Sequence, residues 1–248
     1  MVLGSLGRWA GDGRRRDNDG SGSRPSAWER DDERQAGLSG ADLLVDGRGG
    51  AAGRIVLAHG AGAPMDSPFM QHVARVLAAQ GFEVVRFEFP YMRERRRSGA
   101  RKAPDREPVL RERFRAVLAG LGGAGQCVIG GKSLGGRIAS LVADELELKA
   151  RGLVCLGYPF HPPGKPEQLR TRHLESLATP ALIVQGTRDP FGRPDEVAGY
   201  KLSLSLRVHW LEDGDHSFKT PARSARRAED NLDEAARVVA GFARGLWA

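Results

Sequence analysis

Residues 126–136 read Gln-Cys-Val-Ile-Gly-Gly-Lys-Ser-Leu-Gly-Gly, and this stretch decides the fold. A short apolar run, Cys127 to Gly130, has the length and bounds of a buried strand. A helical pattern begins at Leu134 and continues to Leu148. Between them lies Gly131-Lys132-Ser133-Leu134-Gly135, a G-x-S-x-G in a strand-to-helix corner. A chain that turns this sharply leaves the serine strained and its hydroxyl exposed. Gly131 and Gly135 lack the β-carbons that would collide across the corner. The helix that starts at once points backbone N–H groups at the same place, so the N–H of Leu134 is a candidate oxyanion donor.

Two phosphate-binding readings of the glycines fail. Gly-Lys-Ser could end a P-loop, but that pattern needs glycine where Gln126 stands and an open loop where the sequence reads as strand. The dinucleotide pattern started by Gly60 and Gly62 needs glycine where Met65 stands.

Outward from the corner, apolar runs alternate with helical patterns. Strands are expected over 54–58, 82–87, 126–130, 152–156, 181–185 and 206–211, with one or two more near Leu43 to Val45. Helices are expected over 67–80 with Ser67 as cap, then 108–121, 134–148, 166–177, 195–202 and 221–246. This alternation means βαβ units and a mostly parallel central sheet with helices on both faces. No insertion is long enough to form a cap domain. In such sheets ligands bind beyond the carboxyl ends of the strands.

Three of those ends carry matched chemistry. Ser133 follows the third core strand. Asp189 follows the fifth, in Gly-Thr-Arg-Asp-Pro. His216 follows the last, in Asp-Gly-Asp-His-Ser-Phe. The order nucleophile, acid, histidine is that of an α/β-hydrolase triad. A serine hydroxyl needs a base within hydrogen-bond reach; His216 would supply it, and Asp189 would fix the imidazole tautomer. Asp195, Asp213 and Asp215 compete as the acid, but the last two lie too near His216 in sequence, and Asp195 resembles a helix cap. The alternative for Ser133 is an unreactive corner serine. Beyond the first core strand, His59-Gly60-Ala61-Gly62 stands where a second oxyanion donor belongs, with the N–H of Ala61 favoured over Gly60 and Gly62. His59 itself reads as structural.

With these residues in place, five blocks in order, LAHGAGAPMDSPFM, RFEFPYM, GGKSLGGR, GYPFHPPGKPEQLRTRHL and VQGTRDPFG, resemble the α/β-hydrolases grouped with the testis-expressed and NSL-complex-subunit proteins. They are similar, more distantly, to dienelactone hydrolases and small esterases. The resemblance spans about residues 54–246. It implies the α/β-hydrolase fold and the matching of Ser133, Asp189 and His216 to a triad; it supplies no substrate.

Composition sets the remaining bounds. Net charge is +7 over 248 residues. Residues 91–106 hold seven basic and two acidic side chains, so one segment carries most of the excess. It is read as a basic loop at the site mouth, where Arg95 and Arg96 could bind an acidic portion of a substrate. His161, on the proline-stiffened rim 158–164, is a further candidate substrate contact. No aromatic interleaving or binding motif makes the basic run a nucleic-acid site. Residues 1–42 form a glycine-rich, charged tail expected to be disordered; residues 43–248 form the hydrolase domain. The tail has no secretory h-region, and no apolar run approaches the ~20 residues that span a bilayer. Cys127 and Cys155 sit in apolar runs with no metal-ligand spacing. The cytoplasm is therefore expected. No metal or organic cofactor is required, and the expected partner is a small-molecule acyl substrate rather than nucleic acid or membrane. The leading reading is a serine hydrolase of an ester, thioester or related acyl bond. The alternative is a non-catalytic interaction module on the same fold.

Overall fold

The computed structural model describes residues 43–47, 49, 52–145 and 150–248. The expected disordered tail lies outside them. Seven strands form one sheet: β1 (Leu43–Asp46), β2 (Arg54–Ala58), β3 (Glu83–Phe87), β4 (Cys127–Lys132), β5 (Gly152–Leu156), β6 (Ala181–Gly186) and β7 (Leu206–Leu211). Their spatial order is β1-β3-β2-β4-β5-β6-β7. Only β1 runs antiparallel, against β3; the other pairs are parallel. The helices are α1 (Pro68–Ala79), α2 (Pro90–Ser98), α3 (Glu107–Gly120), α4 (Leu134–Val142), α5 (Pro194–Val197) and α6 (Ala228–Trp247).

The inner strands β2 to β6 are buried on both faces, as a parallel sheet requires, while the edge strands β1 and β7 are partly open. Their side chains alternate between two apolar layers. Val56, Ile129, Cys155 and Ile183 pack with Phe114, Leu118 and Ile138 of α3 and α4. Ile55, Leu57, Val128, Val154 and Val184 pack with Met70, Val73 and Leu77 of α1 and with Ala236, Val239 and Ala243 of α6. Among the described residues, no helix is long and apolar enough to cross a membrane.

Strand order places the site. From β2 the chain moves outward to β3, then crosses back over β2 to lay down β4 on its other side. The connections leaving β2 and β4 therefore diverge, and a crevice opens at the carboxyl ends of these neighbours.

The structure corrects five expected elements, the first being the helix expected over 134–148: α4 ends at Val142 in a turn at Ala143 and Asp144, and residues 146–149 lie outside those described. Residues 90–98, read as loop, form α2, started by Pro90 at its first turn and closed by Gly99 at φ 70°. The segment 166–177, read as helix, holds only a 3₁₀ turn at Arg172–Leu174. There the Arg170 N–H donates to Phe160 O at 2.7 Å and the Tyr158 hydroxyl to Arg170 O at 2.9 Å. These bonds to the β5 loop replace intrahelical ones. The final helix begins at Ala228 rather than 221, because residues 221–227 close the preceding loop, with Thr220 Oγ1 donating to Arg226 O. Helix α5 ends at Val197, well short of residue 202. Ser67 does precede α1, but its side chain makes no capping bond.

Candidate active site

Ser133 stands two residues past the β2–β4 register pair Ala58–Gly131. Its φ of 51° and ψ of −111° put an L-residue where steric clashes are severe. The surroundings hold it there. Its N–H donates to Leu156 O at 3.0 Å, and its carbonyl accepts from the Arg137 N–H at 3.0 Å, the first bond of the α4 ladder. The N–H of Leu134 precedes that bond. A β-carbon on Gly131 would lie 2.3 Å from Ala58 O, and one on Gly135 would lie 2.4 Å from the same atom. The corner thus nests directly against the end of β2.

The partners arrive on two loops. His216 Nε2 lies 2.8 Å from Ser133 Oγ, and His216 Nδ1 lies 2.8 Å from Asp189 Oδ2. Because a carboxylate only accepts, Nδ1 carries the proton and Nε2 is left to accept from the serine hydroxyl. Asp189 is fully buried. Its Oδ2 also accepts from Gln185 Nε2 at 2.9 Å, and its Oδ1 accepts from the Phe191 N–H at 2.9 Å. The Phe191 ring lies 4.1 Å from the imidazole, centroid to centroid. Burial lowers the pKa of His216 from its ordinary value, the bond to Asp189 opposes that, and the nearby Lys132 charge lowers it further.

The competing acids are occupied elsewhere. Asp215 Oδ1 accepts from the Ser217 and Lys219 N–H groups, which curls the loop that carries His216. Asp213 accepts from the Ser224 hydroxyl. Asp195 sits in the first turn of α5.

Across the cleft, two buried rings hold the loop after β2. His59 Nε2 accepts from the Phe89 N–H at 3.1 Å, so its Nδ1–H donates to Gly60 O at 2.7 Å. The imidazole is neutral, and burial lowers its pKa. The Tyr91 hydroxyl donates to Ala61 O at 3.1 Å and also reaches Gly60 O. In a trans peptide the N–H points opposite the carbonyl. With Gly60 O anchored inward, the Ala61 N–H turns the other way. The resulting cleft, of about 330 Å³, is lined by Gly60, Ala61, Phe69, Lys132, Ser133, Phe191 and His216 among others.

Two of the expected substrate contacts bond to neighbouring groups of the chain. Arg96 is engaged, its guanidinium bonding Glu88 at 2.7 Å and Asp66 at 2.8 Å. His161 is buried, with Nδ1 bonded to the Pro162 carbonyl at 2.8 Å, and it does not line the Ser133 cleft. Arg95 is half-buried and lines a neighbouring groove with Pro64, Met92 and Arg101. Residues that sequence reasoning missed are Gln185, Phe191, Tyr91 and Lys132. Only Gln185 had a visible signal, as a polar residue inside an apolar strand.

Residues 51–244 match the family model described as alpha/beta hydrolase domain. The chain is also similar to several solved structures. An α/β serine hydrolase homologue from Coxiella burnetii is 20% identical, with a TM-score of 0.61 over 80% of this chain and 89% of that one. A dienelactone hydrolase from Anabaena variabilis is 22% identical, with a TM-score of 0.60 over 81% and 88%. A serine hydrolase without a lid from Xanthomonas campestris is 19% identical, with a TM-score of 0.56 over 80% and 88%. At these identities the likeness is one of fold.

Proposed function

The chain belongs to the alpha/beta hydrolase domain family, and from that premise we propose that it is a serine hydrolase of a carboxylic ester, thioester or related acyl bond. The observation that carries this reading is the unbroken chain of contacts Ser133–His216–Asp189 at 2.8 Å and 2.8 Å. Ser133 Oγ attacks the acyl carbon while His216 Nε2 takes its proton. The N–H groups of Leu134 and Ala61 hold the oxyanion. His216 then gives the proton to the leaving alcohol or thiol as the acyl–leaving-group bond breaks. Water, deprotonated by His216, attacks the acyl-enzyme and frees the acid and Ser133. Asp189 stays ionised throughout and keeps the imidazole in the productive tautomer.

Among the described residues no long insertion covers the cleft, which favours small or exposed acyl substrates. Of the two arginines considered as substrate contacts, Arg95 is the one proposed to meet an acidic portion. The narrower affinity with the testis-expressed and NSL-complex-subunit group rests on the five sequence blocks. A cytoplasmic location and a small-molecule partner belong to the same reading.

Intact mass after incubation with a fluorophosphonate tests it. A single adduct is expected on the wild type and on neither Ser133→Ala nor His216→Ala. Folded wild-type protein that takes no adduct would overturn the catalytic reading in favour of an interaction module.

A further inference from the structure

Lys132 is the residue between Gly131 and Ser133, and its side chain has an unusual destination. The two-residue period of β4 puts it on the same face as Val128, the layer shared by α1 and α6. That layer is apolar. The side chain is only 9% exposed, and its ammonium lies 5.4 Å from the Phe69 ring centroid and 6.0 Å from that of Phe218. The ammonium donates to the His216 carbonyl at 2.6 Å. Gly157 makes room for it: a β-carbon there would come within 2.9 Å of Nζ and 3.0 Å of the His216 carbonyl oxygen. Among the described residues no carboxylate pairs with it directly, and Asp189 and Asp215 act on it at longer range. Burial pushes its pKa down to about 8.

A methionine would fill the same space without bringing a charge out of water. A buried ammonium beside a candidate base is therefore a functional signal. We infer that Lys132 is a positioning residue for the base: it ties the His216 loop to the nucleophile corner, and its charge favours the neutral, proton-accepting imidazole. This rests on the serine hydrolase reading above. The charged groups facing His216 are Lys132 from the end of β4, Asp189 from the loop after β6 and Asp215 from its own loop. The two carboxylates favour the imidazolium. Lys132 opposes them.

The test uses the full chain. The His216 imidazole is titrated by NMR in wild type, Lys132→Met, Lys132→Gln and Lys132→Arg, with His216→Gln to assign the resonance. Fluorophosphonate labelling is followed over the same pH range. Both neutral replacements should raise the His216 midpoint by half a unit or more, which is about threefold in the neutral fraction on the acid limb. The acid limb of labelling should move with it, and Lys132→Arg should hold the wild-type midpoint. A midpoint unchanged in whichever neutral variant folds would overturn the inference, even if labelling slowed at every pH. A wild type that never labels while the midpoint still shifts would sink the catalytic reading and leave the electrostatic one standing.

Discussion

The two halves of the cleft are held in place by different means. On the nucleophile side, backbone packs on backbone. Gly131 and Gly135 both lie against Ala58 O, and the strain at Ser133 is fixed by bonds to Leu156 O and Arg137 N. On the base side, side chains do the holding. Gln185 and the Phe191 N–H fix Asp189, Asp215 curls the His216 loop, and Lys132 ties that loop across to β4. Backbone packing fails all at once when a β-carbon intrudes. A side-chain network can lose one member and keep its shape while losing its chemistry.

The largest expected effect tests that distinction directly. Asp189→Asn keeps the size of the side chain, but only one of its two terminal atoms accepts, so its NH2 must oppose either the Phe191 N–H or the His216 Nδ1–H and the Gln185 amide. The imidazole is then free to take the wrong tautomer. Fluorophosphonate labelling should slow by about 10³–10⁴-fold, with circular dichroism unchanged. A loss of folded structure instead would show that the base side, too, is integral to the scaffold.

The next pair sets the two halves against each other. In Gly131→Ala the new methyl would meet Ala58 O at 2.3 Å, and backbone on a central strand cannot give way cheaply. A loss of about 1–3 kcal/mol or more is expected, read as a melting temperature lower by several degrees. Gln185→Met fills a similar volume but leaves the Tyr158 N–H, which donates to Gln185 Oε1 at 2.7 Å, unsatisfied. The cost there is about 1–3 kcal/mol. The contrast lies in labelling per folded molecule. It should fall in Gln185→Met, where Asp189 loses a donor. In Gly131→Ala it should hold, with total labelling falling only as the folded fraction does. If both variants lose stability and labelling in the same proportion, the two halves are not built differently.

Sequence legibility divides along the same line. The nucleophile corner was readable because backbone geometry is written locally: glycines, a short apolar strand and an immediate helix can stand together only in a few ways. The placement of Ser133, Asp189 and His216 was readable for the same reason, since each follows a strand end. Helix α2 was missed because seven basic residues in a short span look like solvated loop. Its helical cues, Pro90 at the start and Gly99 at the left-handed end, were masked by charge. Residues 166–177 were misread for the opposite reason. Leu174 and Leu177 have the spacing of a helix face, but Leu169 is exposed and the backbone bonds of this stretch go to the loop after β5. Lys132 and Tyr91 were illegible as site residues because their partners lie 84 and 30 residues away in the chain.

The smallest expected effect concerns the ion pairs that, together with His59 and Tyr91, buttress the loop after β2. Arg96 joins Glu88, at the end of β3, to Asp66, in the loop that continues from Gly60 and Ala61. Glu88 is 2% exposed, so removing Arg96 strips a buried carboxylate of its ion partner. Half of the Arg96 side chain faces water, which screens the pair and reduces the penalty below that of an enclosed one. Arg96→Ala should therefore cost about 1–2 kcal/mol in thermal unfolding and slow labelling of neutral and anionic acyl probes alike, because the loop shifts for both. Arg95→Ala lacks that ion pair and should change stability by less than about 0.5 kcal/mol. Its effect, if Arg95 meets substrate, is confined to anionic esters. If Arg96→Ala discriminates between charged and neutral esters while Arg95→Ala does not, the assignments of the two arginines are reversed. The loop after β2 would then be held by the His59 and Tyr91 side chains, without help from the ion pair.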